Sequence, residues 1–340
     1  MLKVRAEAPT RIDLAGGTLD LWPIHHLLDY KATVNVGVTL AAEVTLTASS
    51  DGRYHFTSRD QGTAVSGSFA EACATGELPL LGLLLKALWK AELPPLTIET
   101  AAKSPAGAGL GGSSCLGITV AGALWKARQL VDRAPSLSED LHVRLVQDVE
   151  ARLIHAPTGV QDYWGAVRGQ INILSFPPGG TVVETHRPAR VAGLADELIL
   201  CYSGRSRASA INNWEIFKRL FDGDRDLLAI FNDIGRVAEA CGQAVRDGDL
   251  ERTLVLSREE WQLRTSLWPA IETAETKRLD QAAKAAGARF SRVCGAGGGG
   301  VMAVFAAKDR RAAVIQALTA AGGQVLDATV AEHGLTVTER

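Results

Sequence analysis

A glycine-rich stretch between residues 103 and 117, KSPAGAGLGGSSCLG, constrains this chain more than any other segment. It places five glycines after Pro105 and runs directly into the apolar sequence ITVAGALWKA. Glycines and serines ahead of a helical pattern predict a helix N-terminus with unpaired backbone N–H groups. Such an end attracts anions, and glycines let a phosphate approach the backbone. The alternative is an ordinary glycine turn before a buried helix. Features elsewhere in the chain are needed to distinguish a phosphate-binding loop from such a turn.

Length and composition narrow the class of protein. A chain of 340 residues is long for one domain, so we expect two domains that share a cleft, covering 1–190 and 191–340. The break is expected near Pro188–Gly193, where PARVAG interrupts the pattern. A formal net charge of −2 offers no basic surface for nucleic acid. Any bound phosphate is therefore expected on a small molecule.

The cysteines and the first residues bear on the compartment. The five cysteines are scattered without a CxxC pair, which argues against a disulfide framework and a zinc site. The N-terminal stretch meets Arg5, Glu7, Arg11 and Asp13 before any long apolar run could form. We therefore expect no signal peptide, no membrane partner and a cytoplasmic location.

The first half of the chain reads as strands and loops around helices. Weak alternation predicts a strand over Leu2–Ala8, and the β-branched residues of Thr33–Ala48 predict a second, longer one. Between them, Gly16-Gly17 and Pro23 predict a turn that carries Arg11, Asp13 and Asp20. Two helices are expected after the glycine stretch, over 117–130 and 138–155.

The second half has a different pattern. Four successive helices are expected between residues 206 and 286, followed by the strand RFSRV, a glycine run and the strand VMAVF. After a helix over 308–321, we expect Gln324–Val330 and Leu335–Thr338 to pair as strands. Strands and helices in this order indicate an α+β fold.

Phosphoryl transfer requires more than a phosphate loop, and the chain supplies candidate groups. A bridging magnesium ion needs oxygen ligands, and the accepting hydroxyl needs a base. Ser113 and Ser114 lie at the end of the glycine stretch, while Glu150 and Asp162 bracket EARLIHAPTGVQD. A helix that ends near Pro157 would let the two acids converge from different elements. Each acid alone reads as a solvated helix face or a turn residue.

Three stretches together resemble the GHMP kinase superfamily. The first is APTRIDLAGGTLD, the second is PAGAGLGGSSCLG, and the third is CGAGGGGVMAVF, from Cys294 to Phe305. The resemblance implies a two-domain GHMP kinase fold with ATP in the cleft. Its N-terminal domain would resemble ribosomal protein S5 domain 2, and its C-terminal domain would be ferredoxin-like.

Other stretches point to one branch of that superfamily. AGGTLD, GLGGSSCLG, APTGVQDYWGA and YSGRSRASAINN are similar to parts of L-fucose kinase and D-glycero-D-manno-heptose 7-phosphate kinase. Both relatives phosphorylate an anomeric hydroxyl, so the resemblance implies a sugar 1-kinase. The sequence departs from the pattern at Gly112 and in GGTLDLWPIHH, where those relatives usually carry GGxTDxP or GGWxDxP.

The resemblance also implies residue roles. Asp162 matches the general base and Arg11 its basic neighbour, while Ser113 and Glu150 match the magnesium ligands. The residues expected to hold ATP are Pro105, Gly107, Ala108, Gly109, Leu110, Gly111, Gly112, Ser113 and Ser114. The residues expected to contact the sugar or sugar phosphate are Gly17, Thr18, Asp20, Gly159, Arg207, Gly297 and Gly298.

Several other functions use glycine-rich loops or the same fold. Two of them are excluded: a Walker A loop would need a Gly-Lys-Ser/Thr ending that neither glycine run has, and the second run precedes a strand, unlike a dinucleotide site.

Three alternatives within the superfamily remain, because they share the fold. They are a kinase of a non-sugar alcohol of the mevalonate type, a diphosphate decarboxylase and a non-catalytic sugar and ATP sensor. Family habit implies a monomer or a homodimer.

Overall fold

The computed structural model describes residues 2–206 and 213–339. Its strands form two sheets. The strands are β1 (Lys3–Ala15), β2 (Ala32–Ala48), β3 (Tyr54–Ser58), β4 (Thr63–Gly67), β5 (Leu96–Ala102), β6 (Ile171–Ser175), β7 (Val182–His186), β8 (Leu198–Tyr202), β9 (Phe290–Val293), β10 (Val301–Phe305), β11 (Gln324–Leu326) and β12 (Thr336–Glu339).

The helices cover these sheets. Short 3-10 turns lie at Ile24–Leu27, Pro188–Arg190 and Pro269–Ile271. The α-helices are α1 (Phe69–Cys73), α2 (Pro79–Leu88), α3 (Gly112–Val131), α4 (Glu139–Ile154), α5 (Gln161–Arg168), α6 (Leu194–Glu197), α7 (Asn213–Phe221), α8 (Arg225–Asp247), α9 (Leu250–Leu267), α10 (Ala274–Ala285) and α11 (Arg311–Ala320). None of the helices in the described ranges is both long and apolar enough to cross a membrane.

The larger sheet is built on the antiparallel pair β1 and β2. Its main path runs β12-β1-β2-β5-β3-β4, and β6 and β7 extend from the other end of β2. Helix α3 packs against β1 and β2. Because α3 presents small residues such as Ala121 and Gly122 along with Ile118 and Leu124, it lies close to the sheet and is buried along most of its length.

The smaller sheet has the strand order β11-β8-β10-β9, with antiparallel pairing throughout. Numbered within the sheet this order is 4-1-3-2, and helices separate its first two and last two strands in the chain. That arrangement is the ferredoxin-like one. The two sheets with their helices confirm the predicted α+β fold.

Two predictions about strands are wrong. Arg11 and Asp13 lie on β1, which continues through the first motif to Ala15, and only Asp20 lies in the turn. The strand continues because Ile12 and Leu14 enter the core, while ion pairs with Asp162 and Arg292 compensate the charges of Arg11 and Asp13. The predicted C-terminal strands do not pair with each other, since β11 pairs with β8 and β12 with β1.

The last strand matters for the domain division. Because β12 joins β1, the final residues return to the larger sheet. The division into 1–190 and 191–340 stays a prediction, with this one strand crossing back over it.

Candidate active site

The glycine loop before α3 is held to the rest of the protein by its carbonyl groups. Ala108 O accepts from Val301 N at 2.8 Å, and Leu110 O accepts from Arg11 N at 3.1 Å. Gly109 O accepts from Arg11 Nη1 at 3.0 Å. In a trans peptide the carbonyl and the next N–H point in opposite directions. The N–H groups that follow these carbonyls are therefore turned away from the anchoring contacts, as a phosphate-binding loop requires.

Helix α3 starts directly behind this loop. Its cap residue, Gly111, has a left-handed φ of 70° and no side chain that could accept from the first-turn N–H groups. Those N–H groups belong to Gly112, Ser113 and Ser114 and are the unpaired donors of a helix N-terminus. Together with the helix dipole, such donors favour a bound anion.

Two glycine runs from distant parts of the chain meet at the loop. A Cβ on Gly109 would lie 2.6 Å from Cys294 O, and a Cβ on Gly295 would lie 2.6 Å from Gly109 O. Both residues also have positive φ values, 76° and 67°. Glycine is thus required here for backbone-to-backbone contact as well as for conformation. The second and third motifs form one continuous structure.

Arg11 and Asp162 form an ion pair beside the loop. Arg11 Nε donates to Asp162 Oδ1 at 2.7 Å, and Nη2 donates to the same oxygen. Burial disfavours the Arg11 charge, but the carboxylates of Asp162 and Asp13 outweigh that effect and raise its pKa. The Asp162 side chain keeps 26% of its surface exposed. The buried Arg11 guanidinium thus positions the Asp162 carboxylate, which stays accessible from the cleft.

The carboxylate of Glu150 is held by Ser114, whereas the sequence paired it with Ser113. Ser114 Oγ donates to Glu150 Oε2 at 2.6 Å, and both residues are buried. Ser113 is exposed in the first turn of α3. Neighbouring helical residues project about 100° apart, so only one of two adjacent serines can face α4.

Tyr163 is a further partner of Glu150 that the sequence analysis missed. Its hydroxyl lies 2.7 Å from Glu150 Oε2 and 2.9 Å from Thr158 Oγ1. Since a phenol has one proton, Tyr163 donates to the carboxylate and accepts from Thr158. These contacts fix Glu150 behind the first turn of α3.

Asp20 lies in the turn after β1 and is buried. Its Oδ2 accepts from Gln161 N at 2.9 Å, and a Cβ on Gly159 would lie 2.0 Å from that oxygen. Burial, with a further contribution from Asp162, raises the pKa of Asp20 to about 6. Asp20 and Asp162 line the same pocket.

The raised pKa of Asp20 predicts a pH dependence. Above pH 6 its carboxylate accepts hydrogen bonds, and below pH 6 protonation removes that charge. We expect the KM for the acceptor, but not that for ATP, to rise as the pH falls through 6. Steady-state kinetics from pH 5 to 8 would measure this, with Asp20→Asn as the comparison, because that variant should have a high KM at every pH. The same acceptor KM at pH 5 and 8 in the unaltered protein would contradict the assignment.

A small pocket of about 100 Å³ lies between the predicted substrate-binding residues. Gly17, Thr18, Asp20 and Gly159 all line it, together with Asp162. Thr18 has a φ of 76°, which is an uncommon backbone conformation for a β-branched residue. Backbone strain of this kind occurs often at functional sites. The pocket thus collects the residues of the first motif around the predicted base.

Other predicted contacts lie elsewhere. Gly298 N donates to Ile271 O at 2.9 Å, and Gly297 packs against the same residue. The members of this glycine run that line the pocket are Gly295 and Ala296. Arg207 lies outside the described residues.

A buried ionic cluster behind the pocket was also missed. It consists of Asp13, Glu260, Arg264 and Arg292, all at most 5% exposed. Arg292 Nη2 lies 2.7 Å from Asp13 Oδ2 and 3.0 Å from Glu260 Oε2. The three arginines Arg292, Arg264 and Arg11 outweigh burial and lower the pKa of Asp13 to about 2. The cluster joins β1, α9 and β9.

A second, larger groove adjoins the small pocket. Its volume is about 310 Å³, and it shares Asp20 with the small pocket. Trp22, which is 67% exposed, lies on its wall with His26, Arg144 and Asp140. An exposed Trp beside charged side chains in one groove suits a ligand that has both polar and apolar faces.

Comparisons with known proteins identify similar sequences and folds. Residues 80–170 match the family model for the GHMP kinases N terminal domain. A D-glycero-alpha-D-manno-heptose 7-phosphate kinase of Campylobacter jejuni is 25% identical over 348 residues, which cover 98% of each chain. A mevalonate kinase of Pyrococcus furiosus is 24% identical over 249 residues, covering 72% of this chain and 69% of the relative.

The fold comparison extends over the whole chain. The crystal structure of a D-glycero-D-manno-heptose 1-phosphate kinase from Bacteroides thetaiotaomicron superposes with a TM-score of 0.77 and 21% identity, covering 99% of both chains. At that identity the likeness establishes the fold. The chain thus contains a GHMP kinase N-terminal domain and shares, over its whole length, the fold of the GHMP kinases, which are phosphotransferases acting on hydroxyl groups.

Proposed function

We propose that this protein is an ATP-dependent sugar kinase that phosphorylates the anomeric hydroxyl of a heptose 7-phosphate or a similar sugar. The observation that carries the proposal is the Arg11–Asp162 pair beside the glycine loop. A carboxylate that is paired with a buried arginine can act as a base, and the backbone N–H groups beside it can bind an anion in the same cleft.

Each residue has a role in the proposed reaction. Asp162 accepts the proton of the attacking hydroxyl, and Arg11 orients its carboxylate. Arg11 also offsets negative charge that builds up on the transferred phosphoryl group. The loop N–H groups and the start of α3 bind the nucleotide phosphates, and Asp20 accepts hydrogen bonds from other hydroxyls of the sugar.

Magnesium fits the oxygen atoms near the phosphate site. Glu150 and Ser114 offer buried oxygen donors at the first turn of α3, and the described residues contain no group of three or more His, Cys, Asp or Glu that could hold a metal alone. That is the donor set of Mg²⁺, which is commonly held by one or two carboxylates, waters and substrate phosphates. When bound, the ion would neutralise charge on the phosphate oxygens. We assign its protein ligands to Glu150 and Ser114.

A charge-neutral substitution tests this assignment. Glu150→Gln should raise the Mg²⁺ concentration needed for half-maximal activity about tenfold or more, because the amide lacks the carboxylate charge. Titration calorimetry of ATP at several Mg²⁺ concentrations would detect the same shift without turnover. Asp148→Asn, on the exposed side of α4, is the matched control and should leave both values unchanged. An unaltered Mg²⁺ requirement in Glu150→Gln would refute the assignment.

The sizes of the two cavities support an acceptor whose reacting end lies in the small pocket and whose remaining part extends into the groove. A pocket of about 100 Å³ is small for a whole sugar, and the adjoining groove of about 310 Å³ extends it past Asp20. Arg144 and His26 offer cationic or hydrogen-bonding groups there, which suits a sugar that carries a phosphate. The Campylobacter relative, a heptose 7-phosphate kinase by name, supports the same acceptor class.

A coupled assay of ADP release tests the proposal. The panel should contain heptose 7-phosphates, fucose and other free sugars, and mevalonate with its phosphates. Turnover on a sugar or sugar phosphate is expected. Turnover confined to mevalonate compounds would favour a kinase of a non-sugar alcohol or a decarboxylase, and sugar and ATP binding without turnover would favour a sensor.

A further inference from the structure

Arg264, on α9, is the one member of the buried cluster that also lines the small pocket. Its Nη1 donates to Asp13 Oδ2 at 3.2 Å and its Nη2 to Gly295 O at 3.3 Å. The residue nevertheless lies on the wall of the pocket that contains Asp162 and Asp20. A guanidinium has five N–H donors, and these two bonds use only part of that capacity.

Gly17 makes room for this guanidinium. A Cβ on Gly17 would lie 2.2 Å from Arg264 Nη1, so the arginine packs directly over the backbone of the first motif. The second glycine of AGGTLD is therefore explained by Arg264. The contact also places the Arg264 guanidinium, a hydrogen-bond donor, in the same pocket as the acceptors Asp20 and Asp162.

The charge of the cluster decides which ligand suits Arg264. Arg264 Nη1 lies 3.2 Å from Asp13 Oδ2 and 3.9 Å from Glu260 Oε1, so its charge already has carboxyl partners inside the cluster. With its charge already compensated, Arg264 gains little from a second full anion, whereas a neutral oxygen needs only an unused N–H. A hydroxyl or ring oxygen fits the pocket better than a phosphate does.

We propose that Arg264 is an acceptor-binding residue that donates to a neutral oxygen of a polyhydroxy substrate whose other hydroxyls are held by Asp162 and Asp20. This inference rests on the proposed function. Arg264 also positions the third motif, because it joins Asp13 on β1 to Gly295. Acceptor recognition and the closure of the two glycine runs thus share one side chain.

Arg292 provides the matched control. It contacts the same two carboxylates as Arg264, but it is fully buried, and the pocket lining does not include it. Arg264→Lys and Arg292→Lys each keep the charge and lose the planar fork. A purely structural role would make the two variants behave alike, whereas acceptor binding would separate them.

The experiment measures acceptor affinity without ATP by calorimetry, ATP affinity, kcat, acceptor KM and the melting temperature. For Arg264→Lys we expect the acceptor Kd and KM to rise about tenfold or more, with ATP affinity within about twofold. For Arg292→Lys we expect a lower melting temperature and an unchanged acceptor Kd in the folded protein. Should Arg264→Lys not fold, Arg264→Gln with Glu260→Gln removes one charge of each sign and should show the same loss of acceptor affinity.

Two results would overturn the inference. One is an unchanged acceptor Kd in the Arg264 variants. The other is an equal loss of acceptor and ATP affinity in the Arg264 and Arg292 variants. A wild-type protein that phosphorylates sugars while Arg264→Lys binds them normally would refute only this inference. A wild-type protein that binds no sugar would refute the proposed function, and this inference with it.

Discussion

Asp162→Asn should lower kcat about a hundredfold or more while leaving the affinity for ATP nearly unchanged. The amide has nearly the same shape, and its oxygen can still accept from Arg11 Nε, so the pair should persist. What is lost is the ability to take a proton from the hydroxyl. Steady-state kinetics with saturating sugar and a separate measurement of ATP binding would distinguish the two effects.

The control for this variant is another Arg–Asp pair. Asp132 accepts from Arg128 Nε at 2.8 and 2.9 Å, and its side chain is 18% exposed, similar to that of Asp162. Asp132→Asn makes the same chemical change at the far end of α3, so turnover should stay normal. Full activity of Asp162→Asn, or an equal loss in both variants, would show that Asp162 is not the base.

Gly109→Ala should destabilise the protein and separate the two glycine runs. The methyl group would lie 2.6 Å from Cys294 O, and the residue would be held at a φ of 76°. The left-handed conformation alone costs roughly 1 to 2 kcal/mol. The close contact adds to that cost, because neither of the two backbone segments can move aside freely. We expect a total loss of at least about 3 kcal/mol in unfolding free energy, with much weaker ATP binding in the protein that still folds.

Gly62→Ala separates conformational strain from the clash. Gly62 has a φ of 64°, and no atom lies within 4 Å of the position its Cβ would take. This variant should therefore lose only the roughly 1 to 2 kcal/mol of strain and keep its ATP affinity. Chemical denaturation and nucleotide titration would measure both. Equal losses in the two variants would contradict a tight contact between the glycine runs.

The sequence predicted a helix after the glycine stretch, and Glu150 and Asp162 close to it, because the signals are local. The expected start at Gly117 was wrong, since α3 begins at Gly112. Glycines with positive φ and a helical apolar pattern act within a few residues. The break after α4 likewise carries its own signal in Pro157 and Gly159. These features place both acids near the glycine loop without any knowledge of distant contacts.

The roles of Ser114 and Arg264 were beyond such reasoning. Which of two adjacent serines faces α4 depends on the exact rotation of α3, and that is set by packing. Glu260 and Arg264 have the spacing of an exposed ion pair on a helix, yet they are buried against β1 and β9. Their burial depends on Asp13 and Arg292, partners more than 25 residues away in the sequence.

Strand pairing at the C-terminus failed for a related reason. Residues 324–330 and 335–338 look like a hairpin because they are close in the sequence. Each segment instead completes a sheet edge, β11 beside β8 and β12 beside β1. Which edge a strand joins is decided by the tertiary structure.

Phosphorus NMR of the reaction mixture tests the central claim most directly. With ATP, Mg²⁺ and the sugar that gives the fastest ADP release, we expect one new sugar phosphate signal per ADP formed, and none with Asp162→Asn over the same time. The position of the signal would identify the anomeric oxygen as the acceptor. Inorganic phosphate as the sole new product, or ATP left intact while both ligands bind, would contradict the account of this protein as a sugar kinase.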